Sequence, residues 1–597
     1  MEESTVVAPT VKNLISEKSA DLRDHFPFNT IRENQNETLD KLAIWNKSNK
    51  KFFILEAATG FGKSPINIAE ASWAKTSKGQ FKPGAYILTP QKTLAQQYMT
   101  DFEPLGLVEL KGRTNYTCAS WSKQMGDRVN CEDGASMNEA QRKKISDQDK
   151  NPSEEPDNFV DQNPSPEEPD DFVDQNPSPE VRCGSCPYRI AKDKFMHYPF
   201  GTTNFAYYLY ESNLSGQLPR RNTLILDEAH NTEEQILGLT ETVITQKDCT
   251  KNGVSEKLPI FKDNDSDAVM LWLDNILVPA ISKRLMHLAS QLTSEKNRVA
   301  LDAARKKSAL ENFILRLNFF RYAKDKSEWF VWSDWNEQFK QGTGDLCIKP
   351  LTARLFAHDL LFSKAQKILI TSATILDPNT FMRSLGIHPN DAEYLSIGSE
   401  FPIENRPLFY WPVGNMRQKD IKETLPKMAE EVEKILKYAR YSTKKGIVHT
   451  QSYYINNYLV RYLRDRGLGN RIITHDSNFG AREEAQFQHI VAREKDPTIL
   501  FSPSMTEGLD LREDLSRLQI VCKVPYPALT PYNKARMQRD PAYYQWQTAL
   551  KLVQQTGRSN RSATDRSHTF ILDSGFSTFI QKNNHILPKY WLDAIHW

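Results

Sequence analysis

The chain has 597 residues, 39% hydrophobic and 25% charged, a globular composition with room for several buried cores and too long for a single small binding module. Lys and Arg number 77 against 75 Asp and Glu, a net charge of +2 that looks indifferent to nucleic acid. Residues 151–180, however, hold ten of those acids and no Lys or Arg, so the rest of the chain stands at +12. Seven unevenly spread cysteines are no dense disulfide framework. With no signal-peptide pattern at the start and no run of ~18 apolar residues, a soluble, intracellular and not secreted protein is expected.

Short apolar runs bounded by polar or turn residues read as buried parallel strands and fall into two groups. FFIL (52–55), AYIL (85–88), TLIL (223–226) and KILI (367–370) form the first; GIVHT (446–450), TILF (498–501), LQIVC (518–522) and TFIL (569–572) form the second. Amphipathic stretches at 91–102 and 425–439 suit covering helices. The expected fold class is therefore α/β, two parallel sheets covered by helices, with two insertions in the first. The earlier insertion carries four cysteines and a repeat, NPSEEPDNFVDQ followed by NPSPEEPDDFVDQ and NPSPE. Its Pro and acid content cannot bury enough apolar surface to offset chain entropy, which predicts a disordered, self-repelling loop over 147–180. The later insertion, about 236–362, reads as mainly helical, clearest at 295–323. It then turns aromatic in WFVWSDW (329–335), read as packing in preference to a base-stacking platform.

After the first strand comes EAATGFGKSP. Thr59, Gly60, Gly62, Lys63 and Ser64 match the end of a phosphate-binding loop, with Ala57 where the first Gly usually stands. Glycines let backbone N–H groups approach the β- and γ-phosphates, Lys63 supplies a point charge, and Ser64 is expected to ligate Mg²⁺. Pro65 falls in the first helical turn, where its missing donor costs nothing. TLILDEAH then ends a strand with two carboxylates. Asp227 would hold Mg²⁺ through water while Glu228 polarises the attacking water as general base. Alone, each motif also reads blandly, as a Gly-rich turn or a solvated helix cap. Together they signal an ATPase. In QQTGRSNR, Arg558 and Arg561 lie three apart with Gln554 one turn earlier. A guanidinium fork suits charge developing on a γ-phosphate, although the string by itself is equally a basic surface helix. Arginines that reach the nucleotide require ATP to lie between the two cores.

Taken in order, IRENQ (31–35), TGFGKS (59–64), TP (89–90), DEAH (227–230), TSAT (371–374), TEGLDL (506–511) and QQTGRSNR (554–561) closely resemble the superfamily 2 helicases over about residues 25–575. DEAH with the inserted cysteines looks like the XPD/DinG branch. The resemblance implies two RecA-like motor domains, the first over 1–111, 201–235 and 363–400 and the second over 401–597. It places an iron-sulfur insertion at 112–200 and an arch at 236–362. The implied activity is an ATP- and Mg²⁺-dependent DNA helicase, moving 5′ to 3′ on single strands. Single-stranded and forked DNA are the implied partners, with DNA–RNA hybrids as a further substrate and a monomer as the default state. Rival readings are a translocase that strips proteins or RNA from DNA, and an ATP-gated clamp that does not hydrolyse; a clamp has no need of the base Glu228.

By the same resemblance, Arg32 and Gln35 contact the adenine side, and His230, Thr371 and Thr374 couple the γ-phosphate to the DNA groove. Gly508 and Asp510 line the cleft from the second domain. Thr89, Lys92, Arg113, Asn204, Thr450, Ser452 and Ser504 stand where DNA-facing motifs fall, with phosphate-directed contacts expected. Tyr526, in KVPYP, either grips bases near the exit or sits in the core.

Twelve residues separate Cys118 from Cys131, fifty-one follow, and Cys183-Gly-Ser-Cys186 closes the set. Four thiolates can hold an iron-sulfur cluster or one tetrahedral zinc, and spacing alone does not choose. LKGRTNYTC (110–118) and CPYR (186–189) are similar to the cluster-bearing insertion of XPD/DinG helicases, which implies a 4Fe-4S cluster stiffening a segment too polar to build its own core. Cys249, Cys347 and Cys522 fall outside the set, as core or surface residues.

Overall fold

The computed structural model describes residues 21–118, 122–123, 128, 130–131, 186–213, 218–292, 297–335, 342–476, 478, 481–492, 496–504, 511, 513–557, 559 and 564–597. The acidic repeat expected to be a disordered loop lies outside them. The chain divides into two compact units, residues 1–105 with 220–234 and 352–597, and residues 106–219 with 235–351. The boundaries differ slightly from those drawn on the sequence: 106–111, 201–219 and Gln235 fall in the second unit and 352–362 in the first.

The first unit contains two parallel sheets. The strands are β1 (Phe52–Ala57), β2 (Lys82–Thr89), β3 (Arg221–Leu226), β4 (Ala365–Ser372) and β5 (Ala392–Ile397), in the spatial order β5-β1-β4-β3-β2. Every residue of β1 and β3 is buried, as a strand covered by helices on both faces requires. Three helices pack here, α1 (Glu33–Lys47), α2 (Lys63–Trp73) and α3 (Lys92–Phe102). The second sheet is built from β6 (Leu408–Gly414), β7 (Gly446–His449), β8 (Ile472–Thr474), β9 (Ile499–Ser502), β10 (Leu518–Val521), β11 (His568–Asp573) and β12 (Ile595–His596). They run in the order β8-β9-β7-β10-β11-β6-β12, all parallel. Helix Ile421–Lys437 covers it with Leu425, Met428, Val432 and Leu436, all buried, and so starts four residues before the expected stretch.

In the second unit, strands Val108–Glu109 and Phe200–Asn204 pair in parallel. Helix Pro187–His197 contributes Lys192, whose ammonium meets the buried Glu211 at 2.6 Å. The later insertion holds the long helices Val278–Gln291 and Asn297–Arg321, as expected. The insertion is mainly helical and also contains an antiparallel sheet of Thr242–Ile244, Leu346–Pro350 and Trp329–Ser333 that the sequence did not announce. The strands are short and two are separated by more than eighty residues from the first, which hides the pairing. Trp329 is fully buried and meets Phe320 edge-on at 5.3 Å, which fits packing.

Candidate nucleotide site

The loop between β1 and α2 is built on two glycines. Gly60 and Gly62 have φ of +89° and +85°, a region that side chains with a Cβ enter at a cost. Gly62 directly precedes α2, whose first N–H groups have no partner within the helix and so suit an anion. The Lys63 ammonium donates to the Ala57 carbonyl at 2.9 Å, across the mouth of the loop. Arg32 and Gln35 brace the loop from outside. Arg32 Nη1 donates to Gly60 O at 2.8 Å, its other terminal nitrogen to Phe61 O, and Gln35 Nε2 also to Phe61 O at 2.9 Å. The Gln35 carbonyl accepts from Arg32 N at 3.1 Å. Where the resemblance implied contacts to adenine, both side chains are occupied by loop backbone.

At the tip of β3, Asp227 is buried and Glu228 is partly exposed. Asp227 Oδ2 accepts from Tyr98 Oη at 2.9 Å, while Oδ1 accepts from Glu228 N at 2.9 Å and from Thr371 Oγ1 at 3.2 Å. Burial, reinforced by the neighbouring Glu228 carboxylate, pushes the Asp227 acid up to about 6 against the pull of Lys63 and Tyr98. Glu228 has φ +48°, a strained conformation for a non-glycine residue. His230 Nδ1 lies 2.9 Å from Ser372 Oγ and 3.5 Å from Glu228 Oε2. Asn67 on α2 donates to both Tyr98 Oη and Thr371 Oγ1, at 2.8 and 3.1 Å. Asn67 and Tyr98 were not anticipated. Their signal was a polar group placed on the apolar face of a helix.

A cleft of about 1090 Å³ gathers Thr59, Gly60, Gly62, Lys63, Ser64, Asp227, Glu228, His230, Thr374 and Gln554. Lys92, expected at DNA, also lines it. Gln554 Nε2 donates to Thr374 Oγ1 at 2.9 Å, which joins the second sheet's last long helix to the turn after β4. Arg558, Arg561, Gly508 and Asp510 lie outside the described residues; Gly557, next to Arg558, lines the cleft. Phe401, Arg406, Arg482 and Tyr590 line it too, and no motif pointed to them. Arg536 is buried, pairs with Glu233 and stands 3.6 Å from the Tyr543 ring centroid.

Of the residues expected at DNA, Thr89 and Thr450 are fully buried, with hydroxyls on Gln91 O at 3.1 Å and Asn456 Oδ1 at 3.2 Å. In the first unit, Ser452 caps helix Tyr453–Leu463 through Ile455 N and Ser504 is exposed. Tyr526 is exposed and stacked on Tyr544 at 6.0 Å. In the second unit, Arg113 lies 5.1 Å from the Tyr188 ring centroid and 4.0 Å from Glu211, while Asn204 accepts from Tyr207 N at 2.8 Å.

The described cysteines of the expected set form no disulfide. Cys131 and Cys186 are buried with their sulfurs 3.1 Å apart. Burial, Cys186 and then Cys118 raise the Cys131 thiol well above its ordinary range. Cys183 lies outside the described residues, among which no group of three or more His, Cys, Asp or Glu is arranged for a metal ion. Thiols that meet without a carboxylate between them fit soft-metal chemistry. Cys249 and Cys522 are buried and Cys347 is half-buried. Among the described residues no helix is long and apolar enough to cross a membrane.

Comparison with known proteins gives the same picture. Residues 435–593 match a model of the helicase C-terminal domain, and residues 29–161 match the res subunit of type III restriction enzymes. The ATP-dependent DNA helicase DinG of Photobacterium profundum is 26% identical over 262 residues, 40% of this chain; the match spans 36% of that relative's length. A solved XPD helicase structure superposes with a TM-score of 0.58 at 14% identity, covering 94% of this chain and 99% of its own. The structure of Xpd4 from S. tokodaii gives 0.52 at 13%, with coverage of 94% and 99%. The two parallel-sheet α/β domains thus match the RecA-like folds of the XPD structures.

Proposed function

We propose that this chain, an XPD/DinG-like superfamily 2 helicase by its motifs, relative and fold, is an ATP-driven DNA helicase that moves 5′ to 3′ on single strands and opens forked duplexes. The observation that carries this reading is the single cleft in which Lys63, Ser64, Asp227, Glu228 and Gln554 meet. The loop and the α2 N-terminus receive the triphosphate, with Lys63 leaving the Ala57 carbonyl to meet it. Ser64, and Asp227 through water, would hold Mg²⁺. Glu228 is the more exposed of the two acids and is placed to take the proton of the attacking water. Arg558 and Arg561, four and seven positions after Gln554 in the sequence, stabilise the charge that develops on the γ-phosphate. Phosphate loss is felt at His230 and Ser372 and passes to the second sheet through Thr374.

Cys118, Cys131, Cys183 and Cys186 would hold a 4Fe-4S cluster, whose role is to cross-link a polar segment rather than to carry electrons. Cys183→Ser is expected to bleach a brown wild-type protein and release its iron. A colourless wild type purified without oxygen, with one zinc per chain, contradicts the cluster.

Lys63→Ala and Glu228→Gln are each expected to abolish DNA-stimulated ATP hydrolysis, while Glu228→Gln keeps nucleotide binding. Unchanged turnover in either removes this reading of the site. Forked substrates bearing only a 5′ or only a 3′ tail test direction. Loss of bound RNA or protein without strand displacement would make the chain a translocase instead.

A further inference from the structure

The nucleotide cleft occupies the C-terminal ends of the first sheet's strands, and the opposite ends carry a row of cations. β2, β3 and β4 run side by side and parallel. Lys82 begins β2, Arg220 and Arg221 lead into β3, and Lys364 precedes β4. The register sets them abreast. Lys82 pairs with Arg221, Lys82 N donates to Arg220 O at 3.2 Å, and Arg221 pairs with Ala365, the residue after Lys364. With strands ~4.8 Å apart, the four charges line about 10 Å of one edge, roughly 20 Å from the cleft along β3. Lys82 and Arg220 are exposed and Lys364 is half-buried. At β1 the excess of cations ends, because Lys50 pairs with Glu393 at 2.9 Å.

The charges press on one another. Burial and then Arg221 hold the Lys82 ammonium below its ordinary range; burial and then Arg220 do the same for Lys364, against the pull of Asp359. Arg221 is buried, its guanidinium 4.6 Å from the Tyr86 ring centroid and its Nη1 donating to Pro83 O at 3.1 Å. Arg220 stands 5.6 Å from the Phe81 ring centroid. The loop that carries Phe81 is clamped by side-chain amides of the next two strands. Asn222 donates to Ser77 O at 3.0 Å and accepts from Phe81 N at 3.2 Å, and Gln366 accepts from Gln80 N at 3.2 Å. A β-carbon at Gly79 would lie 2.4 Å from both amide oxygens. Like charges held together on a pinned edge create a positive potential that an anion relieves.

We propose that this edge, formed by Lys82, Arg220 and Lys364, is a second nucleic-acid contact, separate from the nucleotide cleft, and that it holds the phosphates of a duplex. Line charge favours that ligand. A duplex presents one phosphate per ~1.7 Å of axis, about six along the row, whereas an extended acidic peptide turns one side chain toward a surface only every ~6.8 Å. Ammonium groups and a guanidinium fork grip phosphate oxygens and read no base, so the contact is indifferent to sequence. It keeps the chain on duplex without taking part in hydrolysis, and it does not rest on the ATPase reading.

The test uses the full chain without nucleotide, saturated with unlabelled oligothymidylate, and reads the binding of a fluorescent blunt-ended duplex by anisotropy over a salt series. The duplex should bind. The triple variant Lys82→Ala, Arg220→Ala, Lys364→Ala should bind it about tenfold more weakly, with a log–log salt slope lower by about two to three. Its hydrolysis of ATP stimulated by oligothymidylate should stay within about twofold of wild type, as expected for a remote site. Arg220→Glu serves where the triple variant does not fold, and should lose duplex affinity likewise. Failure of the duplex to bind once oligothymidylate is saturating, or an affinity and slope unchanged in the variants, overturns this contact. So does a glutamate-rich peptide of equal total charge that competes as well as unlabelled duplex, which would make the edge a dock for an acidic protein. Hydrolysis enters only as a control, so failure of the ATPase reading leaves the binding result standing.

Discussion

Glu70 sits on α2, the helix that begins with Lys63 and Ser64, and it is completely buried. Asn46 donates to its Oε2 at 2.9 Å, and its Oε1 has no hydrogen-bond partner among the described residues. Burial pushes its acid from 4.5 up to about 7, against the opposing influence of Asn46 and Lys367. Below pH 4.5 the carboxyl is neutral in both folded and unfolded chains, and its contribution to stability is fully present. As pH rises toward about 7 the unfolded chain releases a proton that the native protein keeps, and that contribution is lost. The interval corresponds to about 3 kcal/mol. Glu70→Gln has the same shape, no charge, and a carbonyl that can still accept from Asn46. It should lie within about 1 kcal/mol of wild type near pH 5 and gain about 3 kcal/mol on it by pH 8. Urea denaturation of both proteins at the two pH values, compared by midpoint, measures this. A difference between the proteins that does not change with pH refutes the reasoning, because it would mean that Glu70 is ionised in the native protein with Lys367 as its counter-charge.

Two further outcomes follow from buried polar contacts around the cleft. Tyr98→Phe removes the donor to Asp227 and the acceptor for Asn67, which should cost about 2 kcal/mol of stability and raise the Mg²⁺ concentration needed for half-maximal hydrolysis; an unchanged Mg²⁺ requirement would show that Tyr98 does not orient the aspartate. Glu233→Gln and Arg536→Met each strand a buried partner and should destabilise by about 3–5 kcal/mol, with the double variant costing far less than the sum; additive losses in a double-mutant cycle would mean that the pair does not interact.

The eight apolar runs read as strands all lie in the two sheets, because a strand buried on both faces must be apolar at nearly every position. The strands that escaped notice have other patterns. β5 is an edge strand with only Ala392 buried and Glu393, Tyr394 and Ser396 exposed. β6 contains Pro412, which argues against a strand, and its pairing with β11 shifts register between Tyr410 and Gly414. The site shows the same division. Lys63, Ser64, Asp227 and Glu228 were legible because triphosphate chemistry demands those residue types at the ends of strands. Tyr98 and Asn67 were not, since the partners that give them a role stand up to 304 positions away. Phe401 was hidden for a related reason: its ring lies where a β-carbon at Gly60 would collide with it, a contact that no local pattern announces.

The turn after β4 is where these contacts converge, and that fixes how motion can be shared. Glu56, one residue before the end of β1, accepts from Ile375 N and Leu376 N at 2.8 and 2.9 Å, so the turn is tied to the strand that leads into the phosphate loop. Ser372 links it to His230. From the other sheet, helix Pro541–Thr556 meets the same region at three heights: Asp540 pairs with Arg383 at 3.0 Å, Trp546 Nε1 donates to Ile375 O at 2.6 Å, and Gln554 donates to Thr374. A helix of this length spans roughly 24 Å and behaves as a rod. Because Gln554 lies two residues from the helix end at Thr556, a pull at that end is carried along the whole rod. Turning the rod about Asp540, where Arg383 holds it, moves Gln554 farther than Trp546. The part-buried Gln554–Thr374 bond therefore yields before the buried Trp546 bond. The nucleotide cleft and the second sheet are coupled through a pivot at the helix N-terminus, with Thr374 as the first contact to open.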